Sequence, residues 1–221
     1  MVDIFDEVSD DLRTERAITL ARRYGGLLIL LLVLVLIGVG AKQAYHWQQG
    51  QRNDKAATAF LALTAPINQA PSNLDNAQRL KVAQSLTDFA ATAPEGYKTL
   101  ANFRAAALYN DAGQPAQAEA LWTGIGRDGN ADPLLRDLAN LLWAQHALGT
   151  APDVDVLARL KPLAAMSNPY HGLAQETQAL LYLHEGKTDL AKALLSQIAS
   201  DQAVPEGVRN RANGLLAQLN G

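Results

Sequence analysis

The sequence predicts an all-α protein: a single N-terminal transmembrane helix followed by an α-solenoid of stacked helix pairs. Three observations predict it. Eighteen consecutive uncharged, largely apolar residues run from Tyr24 to Ala41. Beyond them apolar residues recur at helical spacing, and no stretch alternates with the period of a strand. Turn glycines then return at intervals of 36 and 37 residues, at Gly113, Gly149 and Gly186. That interval suits a repeated helix–turn–helix unit.

Composition agrees. Of the 221 residues 48% are apolar and only 6% aromatic, and Ala and Leu, which lose little side-chain freedom in a helix, dominate the apolar share. With a net charge of −3, nothing points to a nucleic-acid backbone as a partner, which would need a basic face. The absence of cysteine excludes a disulfide framework, thiol catalysis and a cysteine-built zinc site, and is compatible with an oxidising compartment.

The first element is the apolar run. As a helix it is roughly 27 Å long, close to the hydrocarbon thickness of a bilayer. Arg22 and Arg23 close one end; Lys42, Tyr45, His46 and Trp47 close the other, where the two larger aromatic rings suit the headgroup region. Arg13, Arg16, Arg22 and Arg23 precede the run, against Lys42, Arg52 and Lys55 after it. The positive-inside bias therefore keeps the N-terminus cytosolic and exports the residues C-terminal to the run. The expected divisions are 1–23, a cytosolic tail; 24–44, the membrane helix; and 45–221, the exported repeat domain. A cleaved signal peptide is the competing reading, with Val39-Gly40-Ala41 as a conceivable cut site. Against it stand the long tail, its six acidic residues (Asp3, Asp6, Glu7, Asp10, Asp11, Glu15) and the length of the run. Within the tail, Ile4, Val8 and Leu12, with Phe5 alongside, form a short apolar stripe that docks on a partner, lies at the membrane surface or belongs to a frayed, solvated helix.

The next elements are helix pairs. Periodic apolar positions include Ala77, Leu80, Ala83 and Leu86; Leu100, Ala101, Ala105 and Leu108; Leu135, Leu138 and Leu142; and Leu190, Leu194 and Ile198. Stops fall at Ala93-Pro94, Gly113, Asp132-Pro133, Gly149, Pro152, Asn168-Pro169, Gly186 and Pro205. Residues 53–93 read as a pair without a glycine turn. Aligned on the glycine, Ala106, Tyr109, Gly113, Ala118 and Trp122 occupy the places where tetratricopeptide repeats carry a small residue, Tyr, Gly, Ala and a large apolar group. Ala179, Tyr182, Gly186, Ala191 and Leu195 fill the same places in another unit. The middle unit keeps its length but has Gln145 where the tyrosine would stand.

The charged tail, the single membrane helix, the Tyr45-x-Trp47 pair, the Ala-rich helix after it and the degenerate repeats together resemble the bacterial ancillary Sec-translocon subunit family. The opening Val2-Asp3-Ile4-Phe5-Asp6-Glu7-Val8 resembles alphaproteobacterial members. The resemblance implies a single-pass inner-membrane protein whose repeat domain faces the periplasm. Its implied partners are translocon subunits and periplasmic foldases. A scaffold for another envelope process, such as cell division or wall synthesis, and a signal-cleaved soluble periplasmic protein remain the alternatives.

Chemistry-bearing motifs are few. Gly124-Ile-Gly126-Arg-Asp-Gly129 matches a dinucleotide fingerprint in letters but lacks the preceding strand, so an inter-repeat loop is expected there. His46, His146, His171 and His184 have no histidine partner at helical spacing, and no metal site is expected. Serines and carboxylates show neither a nucleophile elbow nor a catalytic pair. The chain reads as a binding protein without a cofactor, not as an enzyme. In stacked helix pairs the first helix of each pair lines the binding groove. Carrying the glycine register across, the groove residues are Leu100, Phe103, Asn110 and Asp111; Arg136, Trp143 and His146; and Leu173, Glu176, Leu180 and His184. Leu215, Leu216 and Leu219 leave the last helix apolar enough to suggest self-association.

Overall fold

The computed structural model describes residues 4–69 and 74–220, with side chains from Leu30 onward. Among these residues every regular element is an α-helix: α1 (Ile4–Gln69), α2 (Asn76–Ala90), α3 (Glu95–Asp111), α4 (Pro115–Arg127), α5 (Pro133–His146), α6 (Asp153–Leu163), α7 (His171–His184), α8 (Thr188–Ser200) and α9 (Glu206–Asn220). The chain divides after Asp54 into two units, which are described separately.

The first unit is the larger part of α1. The helix is unbroken at residues 23 and 44, where the sequence suggests divisions. From Leu30 to Ile37 every side chain is exposed, at 43–62% of its full area. By length and composition this is a helix able to cross a membrane. Tyr45 and Trp47 are exposed beyond it. The apolar stripe Ile4, Val8, Leu12 and Phe5, and the boundary residues Arg22 and Arg23, lie outside the side chains described.

The second unit begins at Lys55 and contains the end of α1 and all later helices. The pair expected over 53–93 is the end of α1, where Ala56, Thr64 and Ile67 are buried, and α2. Asp75 caps α2 through a capping box: the Gln78 N–H donates to Asp75 Oδ1 at 2.7 Å, and the Asp75 N–H donates to Gln78 Oε1 at 3.0 Å. Proline opens α4 and α5, where a missing N–H costs nothing, and Asp132 Oδ1 takes the Leu134 N–H at 2.8 Å.

Among the described residues, the three glycines that set the repeat are the ones with positive φ, 77° at Gly113 and 74° at Gly149 and Gly186. An L side chain is strained there. At Gly113 the Gln114 N–H reaches back to the Tyr109 carbonyl, and at Gly186 the Lys187 N–H reaches the Tyr182 carbonyl, each at 2.8 Å. These bonds close a helix C-terminus in the Schellman manner. Residues 112–114 and 185–187 thus form matching three-residue turns. The middle turn differs: residues 147–152 separate α5 from α6, and the Thr150 and Ala151 N–H groups both return to the Ala147 carbonyl.

That longer turn moves the packing register. In α4 and α8 the fourth and eighth helical residues, Ala118 and Trp122, and Ala191 and Leu195, are buried. In α6 the same helical places are Val156 and Leu160, both buried, whereas the glycine alignment points to Val154 and Ala158, both exposed. The buried run Ala106, Leu108 and Tyr109 of α3 with the capping Ala112 is matched by Leu141, Trp143 and Ala144 of α5 with the capping Ala147. The tyrosine place is therefore taken by Ala144, not by Gln145.

Other expectations are also corrected. Gly124 and Gly126 are not in a loop; both lie inside α4, which runs to Arg127. Gly126 is needed for closeness, since a Cβ there would stand 2.8 Å from Asn140 Oδ1 on α5. Ala77 and Leu190 are exposed rather than in the core. Leu215, Leu216 and Leu219 are partly buried against the cluster of Leu195, Ile198, Val204 and Val208.

Candidate protein-binding face

The first helices of successive pairs are the end of α1, α3, α5 and α7, and α9 stands where a further first helix would. Among the described residues, cavities open between successive first helices. One, of about 400 Å³, lies between the end of α1 and α3 and is lined by Phe60, Thr64, Asn68, Leu100, Phe103, Arg104 and Ala107. Arg104 Nη2 donates to Asn68 Oδ1 at 2.9 Å and ties the two helices at its edge. Another, of about 550 Å³, lies among α5, α7 and α9 and is lined by Gln145, Leu148, Glu176, Thr177, Leu180, Arg211, Gly214, Leu215 and Gln218.

The second cavity contains one strong electrostatic contact. Arg211 donates from Nε to Glu176 Oε1 at 2.7 Å and from Nη2 to Glu176 Oε2 at 2.6 Å. Glu176 is only 7% exposed, and the two-pronged bond satisfies its carboxylate. Arg211 is held above its ordinary pKa chiefly by that bond and stays charged. Gln145 Nε2 lies 3.4 Å from Thr177 Oγ1 across the α5–α7 boundary.

Of the residues expected in the groove, Leu100 and Phe103 line the first cavity and Glu176 and Leu180 the second. Asn110 and Asp111, at the end of α3, line neither. Leu173 packs against both core clusters and links the last repeat to the preceding ones. His184 sits over the middle turn, where a Cβ on Gly149 would be 3.3 Å from its Nε2. Arg136 is half-buried on α5. Trp143 and His146 face other helices. The guanidinium of Arg159, on α6, lies 3.9 Å from the Trp143 ring centre, and His146 stacks on Trp122 of α4 at 4.8 Å. Arg159 also donates to Asn140 Oδ1 at 3.1 Å and to Thr123 Oγ1 at 3.0 Å, joining α6 to α5 and α4. Burial pushes its pKa below the ordinary value.

Sequence reasoning passes over the α9 contribution, Arg211, Gly214 and Gln218, because no glycine turn marks α9 as a repeat helix. It passes over Gln145 as a groove residue because the middle register is taken from Gly149. Asp132-Pro133 and Pro152 in the sequence carry the missing signal: they fix the starts of α5 and α6 independently of the glycine.

A chain of stacked helix pairs with short glycine turns and open cavities along its first helices is a repeat scaffold of the protein-interaction class. The chain belongs to the tetratricopeptide repeat-like domain family, whose model matches residues 21–206. Searches of curated proteins and of solved structures returned no match. Among the described residues no group of three His, Asp or Glu side chains is placed to hold a metal ion.

Proposed function

We propose that the protein is a membrane-anchored protein-binding scaffold, accessory to the Sec translocon and to periplasmic folding factors. In this reading residues 1–23 are a cytosolic tail, 24–44 cross the bacterial inner membrane once, and 45–221 form the periplasmic domain. Arg22, Arg23, Lys42, Tyr45 and Trp47 stand at the two membrane interfaces. The observation that carries the reading is that one family model takes in both the apolar run and the helical repeats. A scaffold built this way holds its binding face at a membrane, where newly exported chains emerge. The resemblance of the tail and the Tyr45-x-Trp47 pair to the ancillary translocon subunits supports the choice of partner.

The test is crosslinking of the tagged, full-length protein in native membranes, followed by mass spectrometry. Translocon subunits and periplasmic foldases should be recovered, and deletion of residues 1–44 should remove the translocon subunits. Recovery of division or wall-synthesis proteins without the translocon would replace this reading with that of a scaffold for another envelope process. Migration of the native protein as a shortened soluble species would replace it with a signal-cleaved one.

A further inference from the structure

The two ends of the helical array are finished differently. At the C-terminal end α9 covers the last pair: Val208 and Ala212 are buried, and Leu215, Leu216 and Leu219 are partly buried, against Leu195 and Ile198 of α8. At the N-terminal end the first pair, the end of α1 with α2, carries an apolar cavity of about 350 Å³ whose walls include Leu63, Pro66, Leu74 and Val82. On α1 this lining takes Ala62 and Pro66, each two residues on from Phe60 and Thr64, which line the cavity toward α3. Two residues are about 200° round a helix, so the cavity lies on the side of α1 turned away from α3. Ala62, Pro66 and Lys81 on its walls are exposed.

The lining favours a helix over an extended strand. Gln78 Oε1 accepts the Asp75 N–H at 3.0 Å and Ser85 Oγ donates to the Lys81 carbonyl at 3.0 Å, so both polar wall groups are committed within the chain. An extended segment would press bare N–H and C=O groups against apolar side chains, whereas a helix satisfies its own backbone. The α2 wall from Gln78 to Ser85 is about 10 Å long, two helical turns. With α1 it makes a groove between paired helices, the shape into which a third helix packs. That is the packing α9 supplies at the other end of the array.

Lys81 selects the charge of the occupant. Among the described residues no carboxylate lies within ion-pair distance of it. A carboxylate beside the apolar stripe of an incoming helix would pair with it next to a surface that excludes water. A second copy of this chain, packed here about a twofold axis, would instead bring two Lys81 ammonium groups into one interface, where like charges repel.

We propose that this face docks an amphipathic helix of a partner protein, one that carries a carboxylate next to its apolar stripe. The assignment rests on the reading of the domain as a protein-binding scaffold and gives it a docking surface at the end of the array, apart from the cavities along the first helices.

The test uses full-length protein in lipid nanodiscs and two randomised pools of end-capped, lactam-bridged helical peptides of about four turns. Every peptide has a stripe of Leu, Val and Ala; one pool carries Glu beside the stripe and the other Lys. Beyond the background of empty nanodiscs, the wild type should retain the Glu pool about tenfold more than the Lys pool, the ratio equivalent to one good contact. Lys81→Glu should reverse that preference. Ala62→Trp, which fills the groove from an exposed position, should lower retention of the Glu pool about tenfold with the unfolding midpoint unchanged. Equal retention by the wild type and Ala62→Trp, or the same charge preference in the wild type and Lys81→Glu, would overturn the proposal. Paired copies that Ala62→Trp separates would assign the face to a second copy, and a co-purifying phospholipid that Ala62→Trp displaces would assign it to lipid; either result overturns the proposal. Translocon crosslinks without Ala62-dependent peptide retention would remove this site and leave the proposed function standing. Charge-selective, Ala62-dependent retention without translocon crosslinks would do the reverse.

Discussion

The repeats around Gly113 and Gly186 are built alike, and the one around Gly149 is not. In the outer two a three-residue turn joins the helices, and a Schellman bond closes the first helix. In the middle repeat the turn spans 147–152, and a side-chain cluster of Trp143, Arg159 and Asn140 fastens the helices. A positive-φ glycine is common to all three, so the glycine marks the turn without fixing how many residues come after it. Register is set by where each helix starts and stops, and a local irregularity changes which side chains reach the binding face.

The comparison breaks most sharply at the second helices. Trp122→Ala should cost about 3–5 kcal/mol and Leu160→Ala about 2–5 kcal/mol, since both side chains are almost completely buried. Ala158→Ser, at the place that the glycine alignment matches to Trp122, should change stability by less than about 0.5 kcal/mol. Urea unfolding followed by helical circular dichroism measures all three. A large loss at Ala158 would mean that α6 keeps the glycine register.

Arg159→Ala should cost about 1–3 kcal/mol, because it removes the contact with the Trp143 ring and both bonds that join α6 to α5 and α4. Arg159→Lys should recover only part of the loss, since an ammonium cannot reproduce the planar fork. Similar stabilities for the three proteins would show that the middle repeat does not depend on this cluster.

Gly113→Ala and Gly186→Ala should each lower stability by roughly 1–2 kcal/mol through the positive φ. Gly149→Ala should lower it somewhat further, because the new Cβ would also meet His184. Equal losses at all three positions would mean that His184 moves aside freely.

The smallest effect is electrostatic. Lys98 on α3 bonds the Asp128 carboxylate just after α4 and holds it below the usual carboxylate range, while Asp128 holds Lys98 above its own. A carboxylate with a depressed folded-state pKa contributes stability that is present above its unfolded value of about 4, and loses it as pH falls through the folded value. Asp128→Asn should therefore leave the unfolding midpoint less sensitive to acidification below about pH 4 than it is in the wild type. The pair is partly exposed to solvent, which screens it, so the change near neutrality should be small. Parallel pH profiles for the two proteins would show that the pair contributes nothing measurable.

Much of the fold is legible in the residues. The three glycines name the turns, proline and aspartate name the starts of α4 and α5, and apolar periodicity names Ala83 and Leu86 of α2 and Ala101, Ala105 and Leu108 of α3 as buried. The binding face is legible where the register holds: Leu100, Phe103, Glu176 and Leu180 are readable from sequence and line cavities. In α5 it is missed when the register is taken from Gly149, because the offset between that glycine and the helix end varies with the turn; the helix starts marked by Asp132-Pro133 and Pro152 are the better guide. Nor is it legible in α9, which joins the face by stacking alone. The extension of α1 through to Gln69 runs past Gly50 and Pro66, two residues that weaken a helix, and Pro66 itself lies within α1.

The central structural claim is that the middle repeat turns Gln145, and not Trp143, toward α7. The chain has no native cysteine, so the test is direct. The double variants Gln145→Cys/Thr177→Cys and Trp143→Cys/Thr177→Cys, made in the full-length protein, are treated with a short bis-maleimide and digested. An efficient bridge between α5 and α7 is expected in the first variant and little in the second. An efficient bridge from position 143, with none from 145, would contradict the claim and restore the glycine register to α5.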